Sequence, residues 1–251
     1  MTQFPHLTKA PITEAVIDFR VTAREGITAE TMEAGLQGKD FGYYKKGPIV
    51  RGTFGFQLSA GANPGAQALA TATSVIGVRL HSHDEKYVAQ LSTEGFALSR
   101  LEPYETWEEL LQEAQRLWPI YVACAEPRFV SRVATRFINN LRLPLQSGDS
   151  FGKFLAQQPT FPPDVPQAMS SFLQRFVMHD PTIGATIIVT QALEDLRPGG
   201  EVPVILDLDA FKAERLSPDS TEMWTCLTQL RVLKNKFFFA SITDEAVRIY
   251  Q

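Results

Sequence analysis

The chain lacks most of the features that would identify a compartment or a chemistry directly. Its 251 residues include only two cysteines, Cys124 and Cys226. Two widely separated thiols favour buried free cysteines in a reducing compartment over a disulfide framework. No stretch approaches the roughly 20 consecutive apolar residues that a membrane-spanning helix needs, and the N-terminus has no basic segment followed by an apolar run, as a signal peptide would. We therefore expect a cytoplasmic protein with no membrane segment.

Catalytic sequence motifs are also missing. There is no GxSxG nucleophile elbow and no GxGxxG dinucleotide loop, and Gly38-Lys39 lacks the leading Gly and the following Ser or Thr of a phosphate loop. We expect no cofactor and no metal. These absences favour a non-enzyme without excluding dispersed catalytic residues. A net charge of −4 gives no overall attraction to nucleic acid, which argues against nucleic acid as the partner.

What the chain does contain is one order of predicted elements that occurs twice. A strand, a short helix, three strands and a long Trp-bearing helix run from about residue 12 to 123, and a similar order runs from about residue 129 to 236. This repetition predicts an α+β fold with an antiparallel sheet built from two similar halves related by pseudo-twofold symmetry, plus a short C-terminal helix. We expect residues 1–125 and 126–251 to form one compact domain.

The two opening strands have the clearest pattern. In residues 14–21 the apolar side chains of Ala15, Ile17 and Phe19 alternate with polar ones, which is typical of a strand with one buried face. Residues 130–141 alternate in the same way. The other predicted strands are 49–58, 74–81, 86–92, 96–99, 172–178, 184–191 and 202–208, with a loop at 59–66 and a short helix at 150–157.

Capping residues predict where the helices begin. Thr28 or Thr31 precedes a short helix, and Thr106 with Glu109 fits a capping box before a helix that Pro119 should kink or end. Ser217-Pro218 is a cap followed by a first-turn proline, which predicts a second long helix with Trp224, Leu227, Leu230 and Leu233 on its apolar face. A last helix is predicted from Thr243 to Tyr250.

The best candidate site is the polar face of the two opening strands. Glu14 and Asp18 lie four apart on one strand, and Arg132 and Arg136 lie four apart on the other. If the strands are neighbours, these groups form either a structural ladder of ion pairs or a charged concave floor. In the second interpretation, Arg20, Arg132 and Arg136 would donate to an anionic or zwitterionic ligand.

Three further patterns have weaker functional interpretations. His81 and His83 could seat a metal, but no third and fourth ligand occurs at a characteristic spacing, which favours a solvated hairpin tip. Asp207 and Asp209 could hold a hard cation, although acidic residues are common where strands end. Residues 234–236 place bases beside three phenylalanines, as in a nucleic-acid surface, yet such lysines more often complement a helix dipole while the phenylalanines are core.

Four segments resemble an uncharacterised, sporadically distributed family of bacterial proteins of about this length. They are APITEAVIDFR at residues 10–20, PYETW at 103–107, RFIN at 136–139 and LKNKFFFASIT at 233–243. The first and last are the specific ones, and the resemblance spans nearly the whole chain. The resemblance implies no activity, cofactor or catalytic residue. The patchy distribution of such a family is typical of accessory genes in defence and toxin–antitoxin loci.

These observations predict a non-catalytic binding protein, an accessory or antitoxin-like component of a bacterial defence or toxin–antitoxin locus. The expected partner is another protein, recognised through the sheet edge or the polar sheet face. One alternative is a small-molecule or enzymatic pocket between sheet and helices, and another is single-stranded nucleic-acid binding across the open sheet. A flat exposed apolar patch would favour the first, a cavity with converging charges the second, and a basic aromatic face the third.

Overall fold

The computed structural model describes residues 4–58, 66–146, 149–167, 169–193 and 201–251. The strands are β1 (Ile12–Thr22), β2 (Tyr43–Leu58), β3 (Ala66–Ser82), β4 (Tyr87–Ser92), β5 (Gly95–Leu101), β6 (Phe129–Leu143), β7 (Phe172–Asp180), β8 (Ala185–Leu193) and β9 (Val202–Lys212). The α-helices are α1 (Ala29–Leu36), α2 (Trp107–Ala125), α3 (Glu222–Ser241) and α4 (Asp244–Tyr250). Within the described residues, no helix is both long enough and apolar enough to cross a membrane.

The strands form one antiparallel sheet, so the predicted α+β class with a short C-terminal helix is confirmed. The strand order is β2-β3-β4-β5-β1-β6-β9-β8-β7. The two opening strands therefore pair with each other near the middle of the sheet, with Val16 opposite Arg136 and Asp18 opposite Ala134. Because antiparallel partners that face each other share a sheet face, this register places the polar side chains of both strands on the same side.

The helices contact the other side of the sheet. Helix α2 packs on β1 and β5, and helix α3 packs on β6, β8 and β9. Phe19 of β1 is fully buried between them. Its ring centroid lies 4.8 Å from that of Trp118 in α2 and 5.4 Å from that of Trp224 in α3, both edge-on. One strand residue thus joins the two Trp-bearing helices, and burying such a ring contributes about 2–3 kcal/mol.

Three predicted features in the first half need correction or qualification. Strand β3 begins at Ala66, earlier than the predicted residue 74, because its backbone continues the ladder with β2 down to the pair Leu58 and Ala66. Residues 59–65 of the predicted loop lie outside the described residues. Helix α2 runs through Pro119 to Ala125 rather than ending there.

The predicted starts of α1 and α2 are confirmed, and that of α3 is wrong. Thr28 caps α1, and the Thr106 hydroxyl accepts from the Glu109 N–H at 3.2 Å. Helix α3 begins at Glu222 instead of Ser217, because Pro218 lies in a turn. The carbonyl oxygen of Pro218 accepts a hydrogen bond from the Trp118 indole N–H at 2.8 Å. The helix then includes residues 237–239.

The end of the chain partly follows the prediction. The predicted helix at 150–157 is only a 3-10 turn, Phe151–Lys153, since Leu155 leaves it to bridge Ile242. Thr243 caps α4 as predicted, its hydroxyl accepting from the Ala246 N–H at 3.3 Å.

Gly77 tests how closely β3 and β4 approach. A Cβ added there would lie 2.1 Å from the carbonyl oxygen of Leu91, so we expect Gly77→Ala to lower the free energy of unfolding by about 3 kcal/mol. At Gly47 in β2 an added Cβ meets nothing within 4 Å, and Gly47→Ala should change stability by less than about 0.5 kcal/mol. Urea denaturation of both variants measures the difference. Equal stabilities would contradict the described β3–β4 register.

Candidate functional site

The polar residues of the opening strands meet on the helix-free face, where Arg132 lies between two carboxylates. Its Nη1 donates to Asp18 Oδ1 at 2.6 Å, and its Nη2 donates to both oxygens of Asp209 at 2.9 Å. The guanidinium also lies 4.4 Å from the ring centroid of Phe211. The Arg132 side chain is only 15% exposed, so its charge is well compensated where it lies.

Arg136 forms the second pair of this face. Its Nε and Nη2 bind the two oxygens of Asp207 at 2.8 and 2.6 Å, and this hydrogen-bonded ion pair raises the pKa of the guanidinium. We name the residues Asp18, Arg132, Arg136, Asp207 and Asp209 the central ladder. Among the described residues, Glu14 and Arg20 form no ion pair within 4 Å, although they lie on the same face.

The geometry of the central ladder favours the structural interpretation over the ligand floor. Both arginines already donate to carboxylates, so an incoming anion would compete with bound aspartates. Burial raises the pKa of Asp18 despite the opposing effects of Arg132 and Arg20, which means that the folded protein disfavours this carboxylate charge. Binding of a ligand by the five predicted residues stays a prediction.

Sequence reasoning missed Asp207 and Asp209 as the main partners of the arginines. They were placed at a strand end, but β9 continues to Lys212 and sets Asp209 opposite Arg136. Arg136 reaches its diagonal neighbour Asp207, and Arg132 reaches past Phe211 to Asp209. The available signal was the i, i+2 spacing of the aspartates, which puts both on one face of a strand.

The two histidines considered as metal ligands, His81 and His83, lie beside a carboxylate and an aromatic ring. His81 Nδ1 lies 2.8 Å from Glu85 Oε2, and the His83 ring lies 5.9 Å from that of Tyr44. No group of three or more His, Cys, Asp or Glu that could hold a metal occurs in the described part of the chain.

Cys124 and Cys226 are both free and buried, as predicted. Burial raises the pKa of Cys226 to about 11, so it remains a protonated thiol.

The sheet ends at β7, where apolar side chains are exposed. Leu173 is 72% exposed, Val177 47%, Met178 46% and Phe176 39%. Leu173 and Val177 face the side of the ladder, and Phe176 and Met178 face the side of the helices, since their partners on β8 alternate accordingly. We name these four residues the β7 edge patch. A solvent-exposed strand edge with apolar residues on both faces is a typical interaction surface.

A cavity of about 460 Å³ lies on the helix side, at the end of the central strands. We name it the Lys234 cavity. Its walls come from the N-terminal segment, the start of α2, β6 and α3, and are rich in aromatic residues: Phe4, Tyr104, Trp107, Phe137, Phe238 and Phe239. The polar groups include Asn139, whose side-chain amide is fixed by bonds to the carbonyls of Leu206 at 2.8 Å and Phe137 at 3.3 Å.

Lys234 is the unusual group of this cavity because it is a buried cation without a carboxylate partner. The residue is 7% exposed, and its Nζ lies 3.7 Å from the ring centroid of Phe137. No ion pair with Lys234 occurs among the residues that the structure describes. Burial, with a smaller contribution from Arg231, lowers the pKa of Lys234 to about 7. The sequence pattern predicts this lysine at the surface near the end of a helix, but the packing of α3 on β6 buries it.

The central ladder predicts unequal costs for its two arginines. Replacing Arg132 by Met leaves two partly buried aspartates unpaired, and we expect a loss of about 2 kcal/mol in the free energy of unfolding. Arg136 is 49% exposed, so Arg136→Met should cost less than about 1 kcal/mol. Urea denaturation compares the two variants. A larger loss for Arg136→Met would contradict this assignment.

Lys234 predicts a pH-dependent stability difference. Its folded pKa of about 7 lies below the ordinary value of about 10.4, so the unfolded chain binds more protons between these pH values. The free energy of unfolding of the wild type therefore rises with pH over this window. We expect Lys234→Met to be more stable than the wild type at pH 7 and to lose about 2 kcal/mol of this advantage by about pH 9. Urea denaturation at both pH values measures this change.

The control for this experiment is Lys236→Met, which alters an exposed lysine of the same helix. Its stability difference from the wild type should not vary with pH. A Lys234→Met advantage that stays constant between pH 7 and pH 9 would mean that the amine is solvated.

Neither a scan against protein-family models nor a search of the curated proteins found a match to this chain. The functional inferences that follow therefore depend on the geometry of the β7 edge patch and of the Lys234 cavity.

Proposed function

We propose that this protein is a non-catalytic binding protein that captures an extended segment of another protein as an added strand beside β7. The observation that carries the proposal is the β7 edge patch. It combines a strand of nine residues at the end of the sheet with four exposed apolar side chains. Main-chain hydrogen bonds along such an edge supply affinity, and the alternating side chains supply specificity.

The other end of the sheet offers a precedent for this arrangement within the same chain. We propose that residues 1–125 and 126–251 are related by an internal duplication with pseudo-twofold symmetry, in which β1, β3, β4 and β5 correspond to β6, β7, β8 and β9. The strand order β3-β4-β5-β1 followed by β6-β9-β8-β7 supports it. In the first half β2 pairs with β3. The equivalent position beside β7 is the one that a partner segment would take.

The side chains of β7 specify what the partner segment must contain. On the ladder side they run Leu173, Arg175, Val177 and His179, and on the helix side Phe176 and Met178 are exposed. Residues opposite each other on one face contact directly. A matching segment is therefore apolar opposite Leu173 and Val177, apolar opposite Phe176 and Met178, and acidic opposite Arg175.

A role as an accessory or antitoxin-like component of a bacterial defence or toxin–antitoxin locus agrees with this mode of binding. A component of this kind would act by covering a segment of its partner and needs no catalytic residues of its own. We also propose a cytoplasmic location, which two buried free thiols support because they suit a reducing compartment.

Site-specific photocrosslinking in the cells of origin tests the proposal. A benzophenone amino acid at Leu173 should crosslink to one extended segment of one partner protein, identified by mass spectrometry of the linked peptides. The same group at Val232, an exposed apolar residue of α3, is the matched control. We expect the double variant Leu173→Lys and Val177→Lys to lower recovery of that partner at least about tenfold, because lysines on an edge oppose strand addition.

Three results would contradict the proposal. Equal crosslinking from Leu173 and Val232 would mean that the partner does not bind specifically at β7. Unchanged recovery of the partner with the double lysine variant would mean the same. A crosslink from β7 to β7 of a second copy, with a dimer in native mass spectrometry, would replace partner capture by self-association. Thermal denaturation should show that both lysines leave the fold intact, since the two positions are exposed.

A further inference from the structure

The Lys234 cavity has the size and composition of a small-molecule site, and it is separate from the β7 edge. Its volume of about 460 Å³ falls within the range of about 300–1,000 Å³ that is typical of ligand pockets. Six of its twenty lining residues are aromatic, and the others include polar and charged groups. This composition provides aromatic surface for the apolar part of a ligand together with groups that can orient it.

The inner end of the cavity carries the positive charge. Lys234, Phe137 and Asn139 are buried, whereas His6, Thr106 and Glu108 are exposed, so the lysine lies deep and the outer end meets water. Arg231 is also in the wall, but its Nη1 donates to Glu108 Oε1 at 2.8 Å. Among the described residues, the Lys234 ammonium forms no ion pair, and its Nζ lies 3.7 Å from the ring centroid of Phe137, whose face stabilises the charge.

A buried, unpaired ammonium costs free energy that an anion inside the cavity would recover. Removing a charged group from water is compensated in proteins by pairing it with an opposite charge. The cavity leaves room for such a partner, because its volume exceeds that of a carboxylate alone. The rings of Tyr104 and Trp107 each pack against Phe137, with centroids 5.7 and 6.2 Å from that of Phe137, and together they offer aromatic surface for a planar apolar body.

We propose that the Lys234 cavity binds a small organic carboxylate with a planar apolar body, its carboxylate paired with Lys234 and its body between the aromatic walls. This site is independent of the proposed strand capture by β7. The aromatic lining distinguishes the ligand from a simple inorganic anion.

Calorimetric titration of the purified full chain with three probes tests the proposal. The probes are 2-naphthoate, its neutral analogue 2-naphthamide, and inorganic phosphate, all at about pH 6.5. We expect naphthoate to bind at least about tenfold more tightly than either of the other two, because only it offers both the charge for Lys234 and the apolar body. Equal binding of naphthoate and naphthamide would overturn the role of Lys234. Phosphate binding as tightly as naphthoate would overturn the ligand class, and absence of naphthoate binding would overturn the site.

Matched variants assign the preference to one amine. Lys234→Met should remove the preference for naphthoate over naphthamide, whereas Lys236→Met, on the exposed side of the same helix, should retain it. A preference that survives Lys234→Met in folded protein would contradict the proposal.

The pH dependence provides a second readout that does not require a variant. The titratable or charged groups that line the cavity besides Lys234 are His6, Tyr104, Glu105, Glu108 and Arg231. Burial raises the pKa of Tyr104, and Glu108 is paired with Arg231. Because Lys234 must be protonated to bind a carboxylate, naphthoate affinity should fall about tenfold from pH 7.5 to 8.5.

The pKa of Lys234 itself can be followed by ¹³C NMR of the lysine side chains. Saturating naphthoate should raise it above the value in the free protein, since a paired carboxylate favours the charged form. An affinity that is flat over this pH range, or a pKa that naphthoate does not move, would contradict the pairing even if Lys234→Met failed to fold.

Discussion

The antiparallel pairing of β1 with β6 is the constraint on which the rest of the structure depends. It joins the two halves of the sheet through backbone bonds from Ile12 to Thr22 and fixes which side of each strand faces the helices. On that side, Phe19 contacts the tryptophans of both long helices. On the other side, the same register brings Asp18 within reach of Arg132. A one-residue shift would exchange the two faces and bury the charges.

The charged groups brought together by this pairing already have partners, whereas other groups of the structure do not. The arginines of the central ladder are held by aspartates, so the most strongly charged face of the sheet has little binding capacity left. Among the described residues, two features lack such partners: the edge of β7 with the apolar side chains of the β7 edge patch, and the buried amine of Lys234 in a cavity partly lined by aromatic residues. Exposed apolar edges favour binding of another chain, and an unpaired buried cation favours binding of an anion.

The sequence was sufficient for features set by local periodicity. The alternation around Ile17 and Val133 predicted the two central strands, and Thr106 predicted the start of α2. It failed where distant residues decide. Ser217-Pro218 has a helix-start pattern, but Trp118 binds the Pro218 carbonyl and α3 begins later. The partners of Arg132 and Arg136 come largely from β9, whose register no local pattern reveals. Lys234 is buried by the packing of α3, so neither the cavity nor its charge could be predicted from the chain alone.

The central claim is tested most directly by hydrogen exchange of the protein alone and in complex with the partner that crosslinking identifies. The backbone amides of β7 lie at the edge of the sheet, and those that point outward exchange freely unless another strand pairs with them. Capture of an extended segment predicts that partner binding slows exchange in β7 while exchange in β1 and β6, which are already paired on both sides, stays unchanged. Slowed exchange elsewhere with β7 unaffected would contradict the claim that this edge is the binding surface.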